Sequence, residues 1–269
     1  MKSPFIRIVL PALVFALAPT GSFAARAWLL PSQTLIANSG GWITVDGAMA
    51  DDLFSFNQGA MNIDALLVTG PDGQPVAPQN IAKGKTRSSF DLELRQPGTY
   101  RICVADDLVM ARWEEEGKPK RWRGTPAEMA NGIPANAAKL EVEQTQRRVE
   151  TFVSVGKPSA LKTKGVGLEL EPLQHPNDLY AGEVAKLRFL LDGKPARNLK
   201  IRIIAGGTRY RDSPDETLLQ TDGNGAVAVK WPAAGMYWLD AAVADENATV
   251  PNVKQRRATY NATFEVLTQ

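Results

Sequence analysis

Residues 234–245 read AGMYWLDAAVAD, and this stretch decides the class of fold. From Tyr237 through Leu239 to Ala241, apolar side chains occupy every second position. A period of two is that of a β-strand with one face toward a core and the other toward water. A glycine precedes the tyrosine by two positions, where the strand begins. The stretch therefore predicts a half-buried strand that the chain enters through a Gly-x-Tyr sequence.

The same pattern occurs earlier in the chain, in residues 97–106, which read PGTYRICVAD. In both copies the tyrosine follows a glycine by two positions, and an Ala-Asp pair comes after the apolar alternation. A turn upstream of each copy also matches, because residues 67–75 (LVTGPDGQP) resemble residues 189–195 (FLLDGKP). This weak internal repeat indicates two similar modules in tandem; the alternative is a coincidence between common turn motifs.

Apolar alternation of the same period recurs along the chain, for example in residues 187–191 and 199–203. Turns of Gly, Asp and Pro separate the alternating segments at short intervals, a pattern that favours β-sandwiches over α/β folds. In immunoglobulin-like sandwiches, a Gly-x-Tyr entering a late strand makes a tyrosine corner, in which the phenol oxygen bonds back to nearby backbone. The predicted fold class is therefore all-β, with two tandem immunoglobulin-like β-sandwich domains.

The expected domain boundaries follow from a change in composition after residue 155. Residues 156–167 read GKPSALKTKGVG, which is rich in Gly, Lys and Pro and poor in large apolar residues, as in a linker. Residues 25–155 are then the N-terminal β-sandwich domain and residues 168–269 the C-terminal one. Each is long enough to bury a core of its own.

Residues 1–24 have the features of a cleavable secretory signal peptide. Lys2 and Arg7 provide a positive start, and the apolar run 8–18 is shorter than the roughly 20 residues of a membrane-spanning helix. Small residues stand at both key positions of a cleavage site after Ala24. We therefore expect a periplasmic protein without an integral membrane segment after signal cleavage; the alternative is an uncleaved N-terminal anchor.

The charge balance gives no argument for a nucleic acid partner. The whole chain has 31 Lys and Arg against 29 Asp and Glu, a formal net charge of +2. The two basic residues Lys2 and Arg7 belong to the predicted signal peptide, so the mature chain is formally neutral. Binding to nucleic acid or to an anionic membrane is therefore not expected.

The residues that carry most enzyme chemistry are scarce. His175 is the only histidine, so a Ser-His-Asp triad or a histidine-rich zinc site is hard to build. Cys103 is the only cysteine and lies in an alternating strand, where a small packing residue is expected rather than a reactive thiol. The sequence therefore predicts a protein that is not an enzyme.

One loop collects groups that a transition metal accepts as ligands. Residues 175–183 read HPNDLYAGE and contain one imidazole and two carboxylates, a mixture that suits a borderline divalent ion. The candidate metal ligands are His175, Asp178 and Glu183. The alternative is an ordinary strand connection, because Asn and Asp are common turn residues.

Residues 108–125, LVMARWEEEGKPKRWRGT, read as a charged hairpin inserted in the N-terminal domain. With the turn around Gly117, the glutamates at 114–116 are expected to face the basic residues of the second strand. Opposite charges across a hairpin stabilise it by about 0.2–1 kcal/mol per pair. The basic residues expected there are Lys118, Lys120, Arg121 and Arg123.

The hairpin also carries residue types that are common in protein interfaces. Trp and Arg are enriched among the residues that contribute most to binding energy. The hairpin is therefore a candidate partner-binding loop; the alternative is a solvated hairpin packed on its own domain. The candidate contact residues are Trp113, Arg121, Trp122 and Arg123. A short helix is expected to follow at 126–131, with Thr125 and Glu128 forming a capping box.

Six segments together suggest a family. They are residues 27–32 (AWLLPS), 167–172 (GLELEP), 175–179 (HPNDL), 191–195 (LDGKP), 221–225 (TDGNG) and 232–238 (PAAGMYW). In their order and spacing the chain resembles a bacterial family of exported proteins with a domain of unknown function, often labelled nickel-uptake substrate-specific. The resemblance implies a periplasmic β-rich protein with an immunoglobulin-like or prealbumin-like C-terminal module and an association with metal uptake. Residues 25–27 are Ala-Arg-Ala, so the chain lacks the histidine that relatives carry after the cleavage point.

Two functions from different classes fit these observations. The first is a non-enzymatic periplasmic binding or accessory protein for uptake of a transition metal ion, nickel or cobalt, or of a metal complex. It would work beside an envelope transporter or an outer-membrane receptor. The second is a protein–protein interaction module of the cell envelope with no metal ligand, which docks through the Trp113/Trp122 hairpin or by strand addition at an exposed edge.

Overall fold

A computed structural model describes residues 25–269, and this part of the chain is almost entirely β-structure. The predicted signal peptide, residues 1–24, lies outside the described residues. None of the helices in the described part has the length and apolar character that crossing a bilayer demands. The all-β fold class predicted from the sequence is confirmed.

The N-terminal half contributes ten of the described strands. They are β1 (Arg26–Pro31), β2 (Leu35–Ile36), β3 (Gly41–Ala50), β4 (Gly59–Ala60), β5 (Leu66–Thr69), β6 (Gln79–Lys83), β7 (Ser88–Leu94), β8 (Gly98–Glu115), β9 (Lys118–Gly124) and β10 (Ala138–Val155). One sheet has the order β1, β3, β7, β6, with β4 paired to β3. It faces β5, β8 and β10, and side chains such as Val45, Phe90 and Val104 form a core between the two layers.

The C-terminal half contributes eight described strands. They are β11 (Leu168–Pro172), β12 (Val184–Leu191), β13 (Lys194–Pro195), β14 (Lys200–Ala205), β15 (Thr217–Gln220), β16 (Ala226–Lys230), β17 (Gly235–Asp245) and β18 (Gln255–Val266). β11, β12, β13 and β16 form one layer, and β15, β14, β17 and β18 form the other. Phe189, Trp231 and Phe264 belong to the core between these two layers.

The two halves share one sheet. β10 pairs in parallel with β18, from Glu143 opposite Gln255 to Thr151 opposite Thr263. The result is a nine-stranded sheet with the order β15, β14, β17, β18, β10, β8, β5, to which β2 and β9 also pair. Along β10, Val153 belongs to the N-terminal core and Phe152 to the C-terminal core. Because neighbouring side chains of a strand point to opposite faces, the two sandwiches lie on opposite faces of the shared sheet.

The predicted domain boundaries fall at the ends of strands. Residues 156–167, all of them described, contain neither strand nor helix and connect β10 to β11. β10 and β18, which close the two halves, belong to the same sheet. The division into domains at these positions stays a prediction.

Both predicted tyrosine corners are present. The Tyr100 hydroxyl accepts a hydrogen bond from the Gln96 N–H at 2.8 Å and donates one to the Gln96 carbonyl at 3.2 Å. The Tyr237 hydroxyl bonds in the same way to both backbone groups of Ala233, at 3.3 and 2.8 Å. The glycine two residues before each tyrosine has a positive φ, 114° at Gly98 and 139° at Gly235, which a residue with a Cβ rarely adopts. The repeat in the sequence therefore reflects two copies of one structural corner.

Candidate protein-binding surface

A three-stranded arm extends past the two sandwich cores. The arm, as we use the term, consists of residues 108–124, which are the second half of β8 and all of β9, and of residues 138–145, which are the first part of β10. β9 pairs with β8 from Gly124 opposite Val109 to the tip of the hairpin. Of the described residues between 105 and 148, none belongs to either large core. The predicted charged hairpin is thus confirmed, with β10 as its third strand.

The predicted helix after the hairpin is also confirmed. A 3-10 turn, Pro126–Glu128, leads into the short helix α1, Met129–Gly132. The Thr125 N–H and hydroxyl both donate to the carboxylate of Glu128, at 2.8 and 2.9 Å. This capping box fixes the direction in which the chain leaves the arm.

One face of the arm is covered. Val109 and Trp122 pack with Val250 and Val253 of the loop between β17 and β18, and with Met129 of α1. The Trp122 ring packs directly against α1 at Gly132, where any side chain would collide with it, because an added Cβ would come within 2.1 Å of the ring. Trp122 is therefore a half-buried side chain that packs both on α1 of its own half and on the β17–β18 loop of the C-terminal half. The alternative of a hairpin packed on its own domain is thus met only in part.

Trp113 lies on the same covered face as Trp122. Its partner in the register is Lys120, just as Trp122 is the partner of Ala111. The Trp113 ring is half-buried, and its indole N–H is buried without an acceptor among the described residues. Arg121 and Arg123 alternate with these positions, so they lie on the opposite face. The four predicted contact residues are thus divided between two faces.

The other face carries arginines. Arg112 stands directly opposite Arg121 in the β8–β9 register, and Arg123 follows opposite Met110. All three arginine side chains are exposed. In residues 25–269, no carboxylate lies within ion-pair distance of any of them. We call Arg112, Arg121 and Arg123 the arginine face.

The glutamates of the hairpin bind lysines instead of arginines. Glu115 lies 3.1 Å from the Lys120 ammonium, and Glu114 pairs with Lys139 of β10. The expectation that the glutamates also face Arg121 and Arg123 is wrong. The turn at Glu116 and Gly117, with φ of 51° and 73°, sets a register that leaves both arginines beyond the reach of the glutamates.

A shallow groove of about 530 Å³ borders the arginine face. Its lining includes Met110, Arg112 and Leu140, and Leu140 is 44% exposed. Glu143 also lines the groove and lies 3.3 Å from Arg257 of β18. Glu141 stands opposite Arg112 on β10 without an ion pair between the two. The face thus combines guanidinium groups that form no ion pair within the described residues with accessible apolar surface.

The predicted metal ligand His175 has both ring nitrogens engaged. Its Nδ1 accepts a hydrogen bond from the Asn177 N–H at 3.0 Å. Its Nε2 lies 3.1 Å from the Ser159 carbonyl and 3.0 Å from the Thr99 hydroxyl. Burial lowers the pKa of His175, although the Ser159 carbonyl and the Asp178 carboxylate oppose the shift. The neutral imidazole therefore joins the N-terminal half, the linker and the C-terminal half.

The two carboxylates predicted beside it, Asp178 and Glu183, are exposed. Among residues 25–269, no three His, Cys, Asp or Glu side chains gather in a way that could hold a metal ion. The His175 ring points toward the interface between the halves, where its Nε2 contacts Thr99 and Ser159. The structure does not bring the three predicted ligands together, and a metal site there stays a prediction.

The interface between the halves holds a buried ionic cluster that sequence reasoning missed. Glu150 is fully buried and accepts hydrogen bonds from Arg101 at 3.2 Å, Arg148 at 3.1 Å and the Tyr260 hydroxyl at 2.9 Å. Burial alone would raise the pKa of Glu150, but the two guanidinium groups hold it below its ordinary value. The fully buried Glu169 lies 3.6 Å from Arg148. The charged groups of the cluster balance, as buried charges require.

The linker is tied to this cluster through the backbone. The Glu169 carboxylate accepts hydrogen bonds from the N–H groups of Lys164, Gly165 and Val166, at 3.0, 2.6 and 3.3 Å. Arg101 also donates to the Lys162 carbonyl at 2.7 Å. Cys103 lies next to the cluster, and burial raises the pKa of its thiol well above the ordinary range. These groups are therefore structural, and the thiol is not activated.

The family described as "Domain of unknown function (DUF4198)" matches residues 22–245. No curated protein matches the chain. Among solved structures, similar chains are the D0-D1 domain of intimin, with 10% identity over 88% of this chain and 96% of that one and a TM-score of 0.21. A marsupial T cell receptor shows 12% identity over 91% and 73%, with a TM-score of 0.21. The ICAM-5 D1-D4 ectodomain fragment shows 10% over 90% and 51%, with a TM-score of 0.22. Scores of this size carry no argument about function.

Proposed function

The chain belongs to the DUF4198 family, and we propose that it is a non-enzymatic protein-binding module of the bacterial cell envelope, located in the periplasm. Its docking surface is the arginine face of the arm. The partner is a protein that presents carboxylates on its surface. An envelope transporter or an outer-membrane receptor is the kind of partner that a periplasmic location allows.

The observation that carries the proposal is that Arg112, Arg121 and Arg123 form no ion pair with any carboxylate of the described residues. Like charges directly opposite each other on neighbouring strands destabilise a sheet. A guanidinium group binds a carboxylate through two parallel hydrogen bonds, which gives both energy and orientation. A partner with carboxylates at matching positions would relieve the repulsion and gain these bonds.

The arm is held in place before a partner binds. On its covered face, Trp122 packs under α1 and Val109 packs against the loop that carries Val250 and Val253. β10 continues from the arm into the shared sheet. A surface on a rigid element loses less conformational entropy on binding than a flexible loop does. The arm is therefore suited to recognition.

The histidine and the cysteine support a non-enzymatic function. Both ring nitrogens of His175 bond within the protein. The Cys103 thiol is buried and its pKa is raised, so the nucleophilic thiolate is disfavoured. A catalytic nucleophile would need a neighbouring base within hydrogen-bond reach and access to substrate.

The test compares two triple variants in cells that export the protein. In the first, Arg112, Arg121 and Arg123 are replaced by alanine; in the second, three exposed basic residues of the C-terminal half are replaced. The control positions are Lys194, Arg197 and Arg209. Both variants remove three positive charges, so only a site-specific effect distinguishes them.

Each protein is cross-linked in the periplasm, and partners are identified by mass spectrometry. We expect the cross-linked partner of the unaltered protein to disappear in the arginine-face variant and to remain in the control. The purified partner should then bind the unaltered protein with an affinity that falls steeply as salt is raised. Equal recovery of the partner with both variants would overturn the assignment of the surface.

Uptake of nickel or cobalt, which the resemblance to the labelled family implies, stays a prediction. Ligation through His175 would require breaking its bond with Asn177 or its contact with Ser159. Calorimetric titration of the purified protein with nickel and cobalt tests this function. Binding tighter than about millimolar that is lost in His175→Ala would support the predicted site.

A further inference from the structure

The nine-stranded sheet ends at β15, and its outer edge is open. β15 pairs with β14, from Thr217 opposite Ile203 to Gln220 opposite Lys200. No described strand pairs with the other side of β15. The backbone N–H and C=O groups on that side are therefore available to another chain.

Two other edges of the protein are protected against pairing. β6 carries Lys83, and its register with β7 is interrupted next to Asn80, whose φ is 50°. β9 carries Lys118, Pro119 and Lys120. Lysine, proline and irregular backbone are the usual means by which proteins prevent strand addition at an edge. These edges are unsuited to a partner strand.

Three further edges are covered by the protein itself. The Ala27 carbonyl of β1 accepts a hydrogen bond from the Trp238 indole at 2.9 Å. The Leu170 carbonyl of β11 accepts one from Arg101 at 3.2 Å. On β5, the Val68 carbonyl accepts one from the Val76 N–H at 2.9 Å. Their outer backbone groups are therefore at least partly used.

β15 has none of these protections. Its sequence is Thr-Leu-Leu-Gln, without charge or proline, and its register with β14 is regular. Leu218 is 71% exposed. On β16, another edge strand, which pairs with β12, the exposed positions are an alanine, Ala228, and a lysine, Lys230. β15 is therefore an edge with both free backbone groups and an accessible apolar side chain.

A groove of about 620 Å³ lies beside Leu218, on the outer face of the sheet. Arg202 stands directly opposite Leu218 and is neutralised, because it lies 2.9 Å from Asp240 and 3.5 Å from Glu216. Lys200 lines the far end of the groove, opposite Gln220. Ala242 also lines the groove. A side chain placed next to Leu218 would thus meet apolar and neutralised polar surface, which favours an apolar residue.

We propose that β15 accepts an extended strand of a partner protein, in which every second side chain is apolar. The backbone of that strand pairs with the outer edge of β15, and its apolar side chains lie against Leu218 and the groove. This mode of binding takes affinity from backbone hydrogen bonds and specificity from alternate side chains.

The length of β15 favours a partner strand over a second copy of this chain. A stable dimer buries about 1,200–2,000 Å² in total, which two four-residue edges are too short to provide. The site is also separate from the arginine face, because β14, β17, β18 and β10 lie between β15 and β8. At about 4.8 Å per strand, the two surfaces are roughly 24 Å apart across the sheet.

The probe for this site is the synthetic peptide Lys-Ile-Arg-Ile-Ile-Ala, which has the sequence of β14, the strand that already pairs with β15. A second peptide carries N-methyl groups at alternate residues, which removes backbone donors while keeping the side chains. Amide hydrogen exchange at residues 217–220 reports pairing, and titration followed by NMR gives the affinity. The full mature chain is used throughout.

We expect the unmodified peptide to slow exchange at residues 217–220 by at least about tenfold at saturation. Leu218→Lys places a charge at an exposed edge position and should weaken the peptide by about tenfold or more. The matched control Ile81→Lys, on the protected edge strand β6 where the side chain is 52% exposed, should leave affinity unchanged. The arginine-face triple variant should also bind the peptide normally, which separates this site from the proposed function.

Four results would overturn the proposal. They are no protection of residues 217–220, equal binding by the N-methylated peptide, unchanged affinity in Leu218→Lys, and a concentration-dependent dimer in sedimentation that Leu218→Lys dissociates. The last result would assign the edge to a second copy of the chain.

Discussion

The Tyr260 hydroxyl donates a hydrogen bond of 2.9 Å to Glu150, across the parallel pairing of β18 and β10. Both residues are fully buried. The contact joins a strand of the C-terminal half to a strand of the N-terminal half, and Arg101 and Arg148 bond to the same carboxylate. The halves are thus connected by a charged cluster as well as by the sheet.

Removing the central carboxylate should strongly destabilise the protein. Glu150→Ala leaves Arg101 and Arg148 buried without their carboxylate, and breaking a buried pair on one side costs about 3–5 kcal/mol. Tyr260→Phe removes one hydrogen bond to a charged group, so its cost should be about 1.5–3 kcal/mol. Urea unfolding at pH 7 measures both, with the exposed Glu183→Ala as control. A Glu150→Ala protein within about 1 kcal/mol of the parent would contradict this reasoning.

The free energy of unfolding should decrease as the pH is lowered through the range in which histidine ordinarily titrates. Because burial lowers the pKa of His175 in the folded state, the unfolded chain binds this proton more readily. The contribution is fully present above the unfolded pKa of about 6.5 and is lost as pH falls through it toward the lower folded pKa. Protonation of Nδ1 would also break the hydrogen bond that this atom accepts from the Asn177 N–H.

His175→Gln provides the control for this pH dependence. The urea midpoint of the unaltered protein should be lower at pH 5.5 than at pH 7.5, and the variant should have lost most of that difference. The stability that Glu150 contributes is lost only at lower pH than that of His175, because the pKa of Glu150 is held below the ordinary carboxylate value. An equal pH dependence in both proteins would show that other groups cause it.

Much of the fold could be predicted from short-range patterns. Each tyrosine corner needs a glycine, a tyrosine and the backbone four residues before the tyrosine, all contained in residues 96–106 and 233–245. The parallel pairing of β10 with β18 could not be predicted, because alternation shows which side chains face a core but not which strands pair. The run Phe152 to Val155, buried at every position, is the signal of a strand covered on both faces.

The candidate site shows the same division between local and distant information. Trp122 and Arg121 are neighbours in the sequence, and on a strand neighbours lie on opposite faces. The separation of tryptophans from arginines could therefore have been predicted. The contact of His175 with Thr99 could not, because it joins residues from different halves. The register that the turn at Gly117 sets also could not be predicted, and it keeps the glutamates of the hairpin away from Arg121 and Arg123.

The arginine face should be a place where stability and binding conflict. Arg121→Glu replaces the repulsion between Arg112 and Arg121 with an attraction across β8 and β9. We expect the free energy of unfolding to rise by about 0.2–1 kcal/mol, and Tm by up to about 4 °C, measured by calorimetry at low salt. Binding of the acidic partner should weaken at the same time. Arg197→Glu, on the exposed surface of the other half, is the control and should change neither quantity.

The two tyrosine corners allow a test of whether the halves unfold together. Tyr100→Phe and Tyr237→Phe each leave a backbone N–H and carbonyl without the hydroxyl, so each should cost about 1–3 kcal/mol. Because β10 and β18 belong to one sheet and the Glu150 cluster bonds across them, loss of either corner should lower the stability of both halves. Calorimetry of each variant should then give one transition at a lower temperature, with faster amide exchange in both halves. Two resolved transitions, of which only the one containing the substituted corner moves, would show that the shared sheet does not couple the sandwiches.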